Sequence, residues 1–179
     1  MSVQPSCDIT LRALEASEAA ELLELRVRNR HHFASTEPLR DDGWFTVERQ
    51  AGELETEAAA RAAGRQLSFG VFLHDRLVGR VALTSIVRGA FLNAYLGYGI
   101  DHGHAGRGIA TEAVGQVVAI AWDHGLHRVQ AAVSLDNAGS KRVLEKVGFR
   151  CEGLALRYLR LAGQWTDQEL WAVTRDALV

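Results

Sequence analysis

A chain of 179 residues with 47% apolar and 23% charged side chains suits one compact domain over residues 1–179, with a single sizeable core. A formal charge of −2 gives neither nucleic acid nor an anionic membrane an overall electrostatic attraction, and no apolar run approaches the roughly 18–20 residues of a spanning helix. Cys7 and Cys151 lie far apart and form neither a disulfide framework nor a metal-ligand pair, and Met1–Ser6 lacks the basic and apolar stretches of a signal peptide, so a reduced, cytoplasmic protein is expected.

In chain order, Ile9–Leu14 alternates apolar and polar residues as a strand does, and Glu15–Arg30 spaces its leucines for a helix. His31–Asp42, with Pro38, reads as loop or short helical pieces. Phe45–Ala63 is rich in Ala and Glu, which predicts a helix stopped by Gly64. QLSFGVFLH (66–74) and RLVGRVALTSIV (76–87) predict a β-hairpin joined at Asp75, Arg88–Ala90 a turn, and Asn93–Ile100 a further strand. Ile109–His124 places Ala113, Val117, Ile120 and Ala121 on one helical stripe that Gly125 closes. Val129–Leu135 is a β-branched run, and Asp136 and Asn137 supply capping side chains for a helix to about Val147, before Gly148. Arg150–Leu161 and Trp165–Thr174 form a last strand pair around Ala162 and Gly163, in which Trp165 and Trp171 read as core or dimer contacts. The order β, α, α, β-β-β, α, β, α, β-β predicts a mixed α/β sheet.

The segment His102–Thr111 joins a strand to the start of an apolar helix, where unpaired amides and the helix dipole favour an anion. Gly106 and Gly108 allow the backbone to approach a phosphate, Arg107 adds a cation, and Ala110 is small; a tight structural turn is the competing reading. A Walker-type loop would end in Gly-Lys-Ser/Thr, whereas Gly108-Ile109-Ala110-Thr111 stands here. A dinucleotide fold would place its Gly-x-Gly-x-x-Gly after an early strand, and this one follows most of the strands.

YLGYGI (95–100), GRGIATEA (106–113) and NAGSKRVLEKVGFRCEG (137–153) together resemble the GNAT acetyltransferases. Within them the chain is most similar to the RimJ/RimL branch of ribosomal-protein N-acetyltransferases, the RimJ type above all, through NRHHFASTEP (29–38), IVRGAFLNAYLGYGI (86–100) and EGLALRYLRLAGQWTDQELWA (152–172). One departure is Ala105, where the family's phosphate loop starts with Gln or Arg. The resemblance implies an α/β (α+β) fold. Its mixed, mostly antiparallel sheet has about seven strands, flanked by about four helices and splayed at the fourth strand. It implies acetyl-CoA as co-substrate and no metal. The backbone of Tyr98, Gly99 and Ile100 pairs with the pantetheine arm as an added strand would, the amides of Gly106, Arg107, Gly108, Ile109, Ala110 and Thr111 hold the pyrophosphate, and Asn137 bonds the far part of the arm. A plain helix cap is the competing role for Asn137.

Acetyl transfer to an amine needs a neutral nitrogen, donors for an oxyanion, and a proton for the leaving thiolate. Many family members use a tyrosine seven residues after the asparagine, but that position is Leu144. The RimJ/RimL branch implies Ser140 as the proton donor, and a backbone N–H of Tyr98 to Ile100 as the oxyanion's partner. Tyr95 stands where relatives often carry a glutamate base, so Glu37 is the substitute, with a bound water or a merely solvated carboxylate as alternatives. An α-amine of pKa about 7.8 is roughly a third neutral near pH 7.5, against on the order of 0.1% for lysine, so an N-terminal acceptor relaxes the need for a base. His31, His32, Phe33 and Trp44 are read as lining the amine entrance, against ordinary packing. His31, His32, His102 and His104 lack the carboxylate or cysteine company of a metal site. The expected reaction is acetylation of a protein N-terminus, such as a ribosomal protein's, in a ternary complex. A small amine acceptor (polyamine, amino acid or antibiotic) and a non-catalytic acyl-CoA-binding module are the alternatives, and a homodimer is compatible with the sequence.

Overall fold

A computed structural model describes residues 8–178; Cys7 and the Met1–Ser6 segment lie outside them. Strand β1 (Ile9–Arg12) is followed by a single 3-10 turn and then by α1 (Ala19–Arg28), α2 (Arg30–Phe33) and α3 (Val47–Ala62). The hairpin β2 (Leu67–Leu73) and β3 (Arg76–Val87) leads into β4 (Asn93–Ile100), α4 (Ile109–Asp123), β5 (Arg128–Ser134), α5 (Ala138–Val147), β6 (Arg150–Leu161) and β7 (Gln164–Thr174). These strands form one seven-stranded sheet in the order β1-β2-β3-β4-β5-β7-β6. Every neighbouring pair is antiparallel except β4 and β5.

The element order follows the sequence reading, and the differences have local causes. The first strand stops at Arg12, and Leu14 turns into a separate apolar cluster with Leu22, Leu25, Leu54, Phe72 and Leu77. The stretch Glu15–Arg30 is not one helix. Glu18 accepts the Glu15 N–H at 2.8 Å and closes a 3-10 turn, and at the far end the Asn29 side chain donates to the Leu25 carbonyl at 2.9 Å. A side-chain amide that competes for helical carbonyls in this way breaks the helix. The third helix begins at Val47, two residues later than expected, because Thr46 caps it through the Arg49 N–H. Of the expected pair of caps on α5, Asn137 does the capping. Trp171 is buried in the core, whereas Trp165 is 63% exposed and so is not a core residue.

The sheet separates two apolar layers. The larger holds α4 and α5 against Val81, Leu83, Ala94, Leu96, Val129 and Val133; the smaller holds α1 and α3 against Phe72 and Leu77. Helix α4 carries Gly115 and three valines, each costing roughly 0.5–1 kcal/mol of helix propensity relative to Ala. Burial of Ile109, Val114, Val117 and Val118 at roughly 1.5–3 kcal/mol apiece outweighs that, so packing rather than propensity makes this helix. His74 and Asp75 both take positive φ (48° and 64°), the left-handed pair that a two-residue hairpin turn demands.

Gly79 of β3 sits where the sheet is tightest. A Cβ there would come within 2.6 Å of the Gly99 carbonyl oxygen of β4, whereas a Cβ on Gly97 would meet nothing within 4 Å. Gly79→Ala is therefore expected to lose about 1–3 kcal/mol in urea unfolding. Gly97→Ala should stay within about 0.5 kcal/mol of wild type. Equal stabilities would show that β4 is free to move away from β3.

Candidate active site

β4 and β5 pair only at Asn93–Arg128, Ala94–Val129 and Tyr95–Gln130. Beyond these, β4 continues to Ile100 against β3, and β5 continues to Ser134 against β7. From Leu96 and Ala131 onward, two strand edges thus face each other across an opening in the middle of the sheet. Edge N–H and C=O groups left in this state are a template for an added extended chain. Along β4, Ala94, Leu96, Tyr98 and Ile100 pack into the larger apolar layer, so Tyr95, Gly97 and Gly99 face the α1–α3 side.

At the end of β4, the chain turns through His102–His104 and reaches α4 by way of Gly106 (φ 75°) and Gly108 (φ 83°). Gly108 is the N-cap of α4, and no side chain caps that helix end. The buried Ile109 anchors the helix, while the amides of its first turn remain without intrahelical partners. A strand-like opening that leads to an uncapped helix start fits a ligand with an amide-bearing arm and an anionic head. Arg107 is exposed at the same turn.

Ser140 lies in the first turn of α5, across the opening from β4. The Tyr98 hydroxyl stands 2.7 Å from Ser140 Oγ and 3.3 Å from the Ser140 carbonyl, either of which can take its one proton, joining the two lips. Burial pushes the Tyr98 phenol up to about 12, with the Ser140 hydrogen bond opposing in part, so it keeps its proton at neutral pH. Asn137 Oδ1 accepts the Ser140 N–H at 3.0 Å, which is the cap role. Its Nδ2 has no partner among the described residues. Leu144 is wholly buried.

The α1–α2 segment and the last hairpin wall the other side. Phe33 packs under Gly99: a Cβ there would be 3.2 Å from its ring. His32 is tilted against Phe33 at 5.3 Å and against His102 at 6.0 Å, while His31 is exposed. Glu37 is half-buried, and its carbonyl accepts the Ala162 N–H of the β6–β7 turn at 3.0 Å. Trp44, expected at the entrance surface, is instead 6% exposed, with the Arg26 and Arg40 guanidiniums 4.1 and 4.7 Å from its ring centre. It supports the wall from beneath. Tyr95 faces Tyr158 of β6, where burial and then Tyr95 push the Tyr158 phenol above its ordinary value.

The reading of the residues alone missed a polar tie between this wall and the loop. Asn29, fully buried, accepts the His102 N–H at 2.9 Å, and its Oδ1 also lies 2.9 Å from the His102 ring Nδ1. Arg28 donates to the buried Asp101 at 2.7 Å, and Asp101 accepts the Gly103 N–H at 3.2 Å. Burial alone would raise the Asp101 carboxyl, but Gly103, Arg28 and Asn29 outweigh it and hold it below the usual carboxylate range. The one sequence signal was a polar residue interrupting the Leu22-Leu25 stripe of α1. Among the described residues, no group of three His, Cys, Asp or Glu is placed to hold a metal, and no helix is long and apolar enough to cross a membrane.

The family model of the acetyltransferase (GNAT) domain matches residues 8–150, and the chain belongs to that family. It is 40% identical over 168 residues to the probable N-acetyltransferase YjcK of Bacillus subtilis (92% of this chain, 93% of that protein). It is 30% identical to the ribosomal protein uS5-alanine N-acetyltransferase of Escherichia coli over 175 residues (93% and 87%). Among solved structures, Mycobacterium smegmatis RimJ in complex with CoA-disulfide superposes with a TM-score of 0.93 at 32% identity, covering 97% of this chain and 85% of that one. The chain is an acetyl-CoA-dependent N-acetyltransferase of RimJ/RimL character.

The Asp101 tie makes a test of how the loop is held. Asp101→Asn should cost about 1–3 kcal/mol at pH 7 in urea unfolding. Since the folded carboxyl titrates below its unfolded value of about 3.9, its contribution is whole above that pH and lost as pH falls through the folded pKa. The gap between wild type and variant should therefore close below about pH 4. A gap that persists there would assign the tie to something other than the carboxylate.

Proposed function

We propose that this protein acetylates the N-terminal α-amine of a protein, a ribosomal protein first among acceptors, by direct attack in a ternary complex formed in the cytoplasm by one domain spanning residues 1–179. The observation that carries the reaction is the Tyr98–Ser140 hydrogen bond at the open edge of β4. The acceptor class rests on similarity to the uS5-alanine enzyme. Acetyl-CoA, when bound, supplies an activated thioester. In this reading, the backbone of Tyr98, Gly99 and Ile100 and the Asn137 Nδ2 hold its arm, and the amides from Gly106 to Thr111, with Arg107, hold its pyrophosphate.

When the single Tyr98 proton is turned to Ser140 Oγ rather than to the Ser140 carbonyl, the serine's own O–H is directed to the leaving sulfur. A backbone N–H of Tyr98 to Ile100 donates to the carbonyl oxygen as charge gathers on it. Leu144 has neither a proton nor a route to the opening. Glu37 accepts the amine's proton at the entrance formed by His31, His32 and Phe33. An α-amine, already roughly a third neutral near pH 7.5, demands less of a base than a lysine does.

Ser140→Ala should lower kcat by about 10²–10⁴-fold while the acetyl-CoA KM stays near wild type. Tyr98→Phe should lower kcat by a smaller factor. Unchanged turnover in Ser140→Ala would remove the serine from the reaction. Gly108→Asp should instead raise the acetyl-CoA KM, because a carboxylate would face the phosphates and a side chain would be forced to positive φ. The acceptor is tested by mass spectrometry of protein N-termini in cells with and without the gene. An unchanged N-terminal proteome beside acetylation of a small amine would reject the protein acceptor.

A further inference from the structure

The α1–α3 side of β4 carries a charge arrangement that the steps above leave unused. Arg80 of β3, opposite Gly99 in the sheet register, makes a bidentate pair with Glu57 of α3 at 3.0 and 2.5 Å. Arg49 pairs with Glu53 at 2.8 Å on the same helix. Arg26 is the third cation, and among the described residues it makes no hydrogen bond and no ion pair. Its guanidinium carbon lies over the buried Trp44 ring, 4.1 Å from the centre, which anchors it.

Its place in the chain locates it. Arg26 lies in the last turn of α1, three residues before the C-cap Asn29; Asn29 is bonded to the loop at His102, and Phe33, in α2 just beyond, lies under Gly99. Arg26 is thus on the acceptor wall, within electrostatic reach of Arg80, which stands opposite Gly99 of the open strand. Glu37, whose carbonyl is tied to the β6–β7 turn, is the carboxylate nearest in influence that is not already paired, yet it does not touch Arg26. Burial, and then the neighbouring Arg80, lower Arg26 to about 10 against the opposing pull of Glu37, Glu57 and Glu53, so it stays charged at neutral pH with carboxylates in electrostatic reach but none in contact among the described residues.

We propose that Arg26 is a carboxylate-binding subsite for the acceptor, so that the preferred substrate is an amine bearing a carboxylate: an acidic side chain near a protein N-terminus, or the α-carboxylate of a free amino acid. The ammonium end faces Glu37 and the carboxylate faces Arg26, whose planar fork donates N–H bonds to both oxygens at once. This inference rests on the acetyltransferase reading of the same opening and adds a substrate preference to it.

The test compares kcat/KM within matched pairs: tripeptide amides with aspartate or asparagine at the first or second position, and alanine against alaninamide. Wild type should favour the carboxylate member of at least one pair by roughly tenfold or more, and the pair that shows it distinguishes a peptide side chain from a free amino acid. Arg26→Gln should bring that ratio near one without changing the acetyl-CoA KM, and Arg26→Lys should retain part of it. Ratios near one in wild type, or a preference that survives in Arg26→Gln, overturn the subsite. If no acceptor releases thiol, the transfer reading fails on its own. Calorimetric binding of the same pairs to the CoA-loaded protein then decides the subsite: carboxylate-dependent binding lost in Arg26→Gln and partly kept in Arg26→Lys supports it, and equal binding overturns it.

Discussion

β4 and β5 run side by side for three residue pairs and then part, and the chemistry of this protein depends on that parting. Below the fork, Ala94 and Val129 are buried and the sheet is ordinary core. Above it, each strand is paired only on its outer side. The open edge of β4, exposed at Gly97 and half-buried from Tyr98 to Ile100, is a template for a ligand with amides of its own. The glycine loop lies at the end of the same strand, and its uncapped helix start favours an anion. In the proposed reading, acetyl-CoA answers both.

The two sides of β4 are unlike. Toward α5 it presents Tyr98, whose hydroxyl crosses to Ser140 and places a protonated phenol behind the serine. Toward α1 and α3 it presents Gly97 and Gly99, with no side chains to block an approach, and beyond them Arg80, Glu57 and Arg26. In the proposed reading, period-2 alternation thus sorts proton donation onto one side of the thioester's expected position and acceptor recognition onto the other.

These sides are not independent. Asn29 and Asp101 are buried polar groups, and burial of such groups costs several kcal/mol unless they are bonded. Their partners, His102, Arg28 and Gly103, are the residues that join the acceptor wall to the loop. The same bonds that offset the burial therefore hold the end of α1 against the anion-binding turn.

Order and type of the elements were legible in the sequence because they follow from local periodicity and from turn residues: the apolar stripe of α4, the hairpin around Asp75, and the helix stop at Gly148. The glycine loop was legible for the same reason, since a positive φ at Gly106 and Gly108 is a property of single residues. Ser140 could be named only through its family resemblance, and Trp44 was assigned to the entrance surface when two arginines cover it. The partnerships Tyr98–Ser140, Asn29–His102, Arg28–Asp101 and Arg80–Glu57 span 23 to 73 residues of chain. By itself, then, the sequence determined which segments become strands, helices and an anion-ready turn, because those states are set within a few residues. Only the tertiary structure decided which polar groups meet across the fork, because hydrogen bonds between distant residues depend on sheet order and register, which no local pattern encodes.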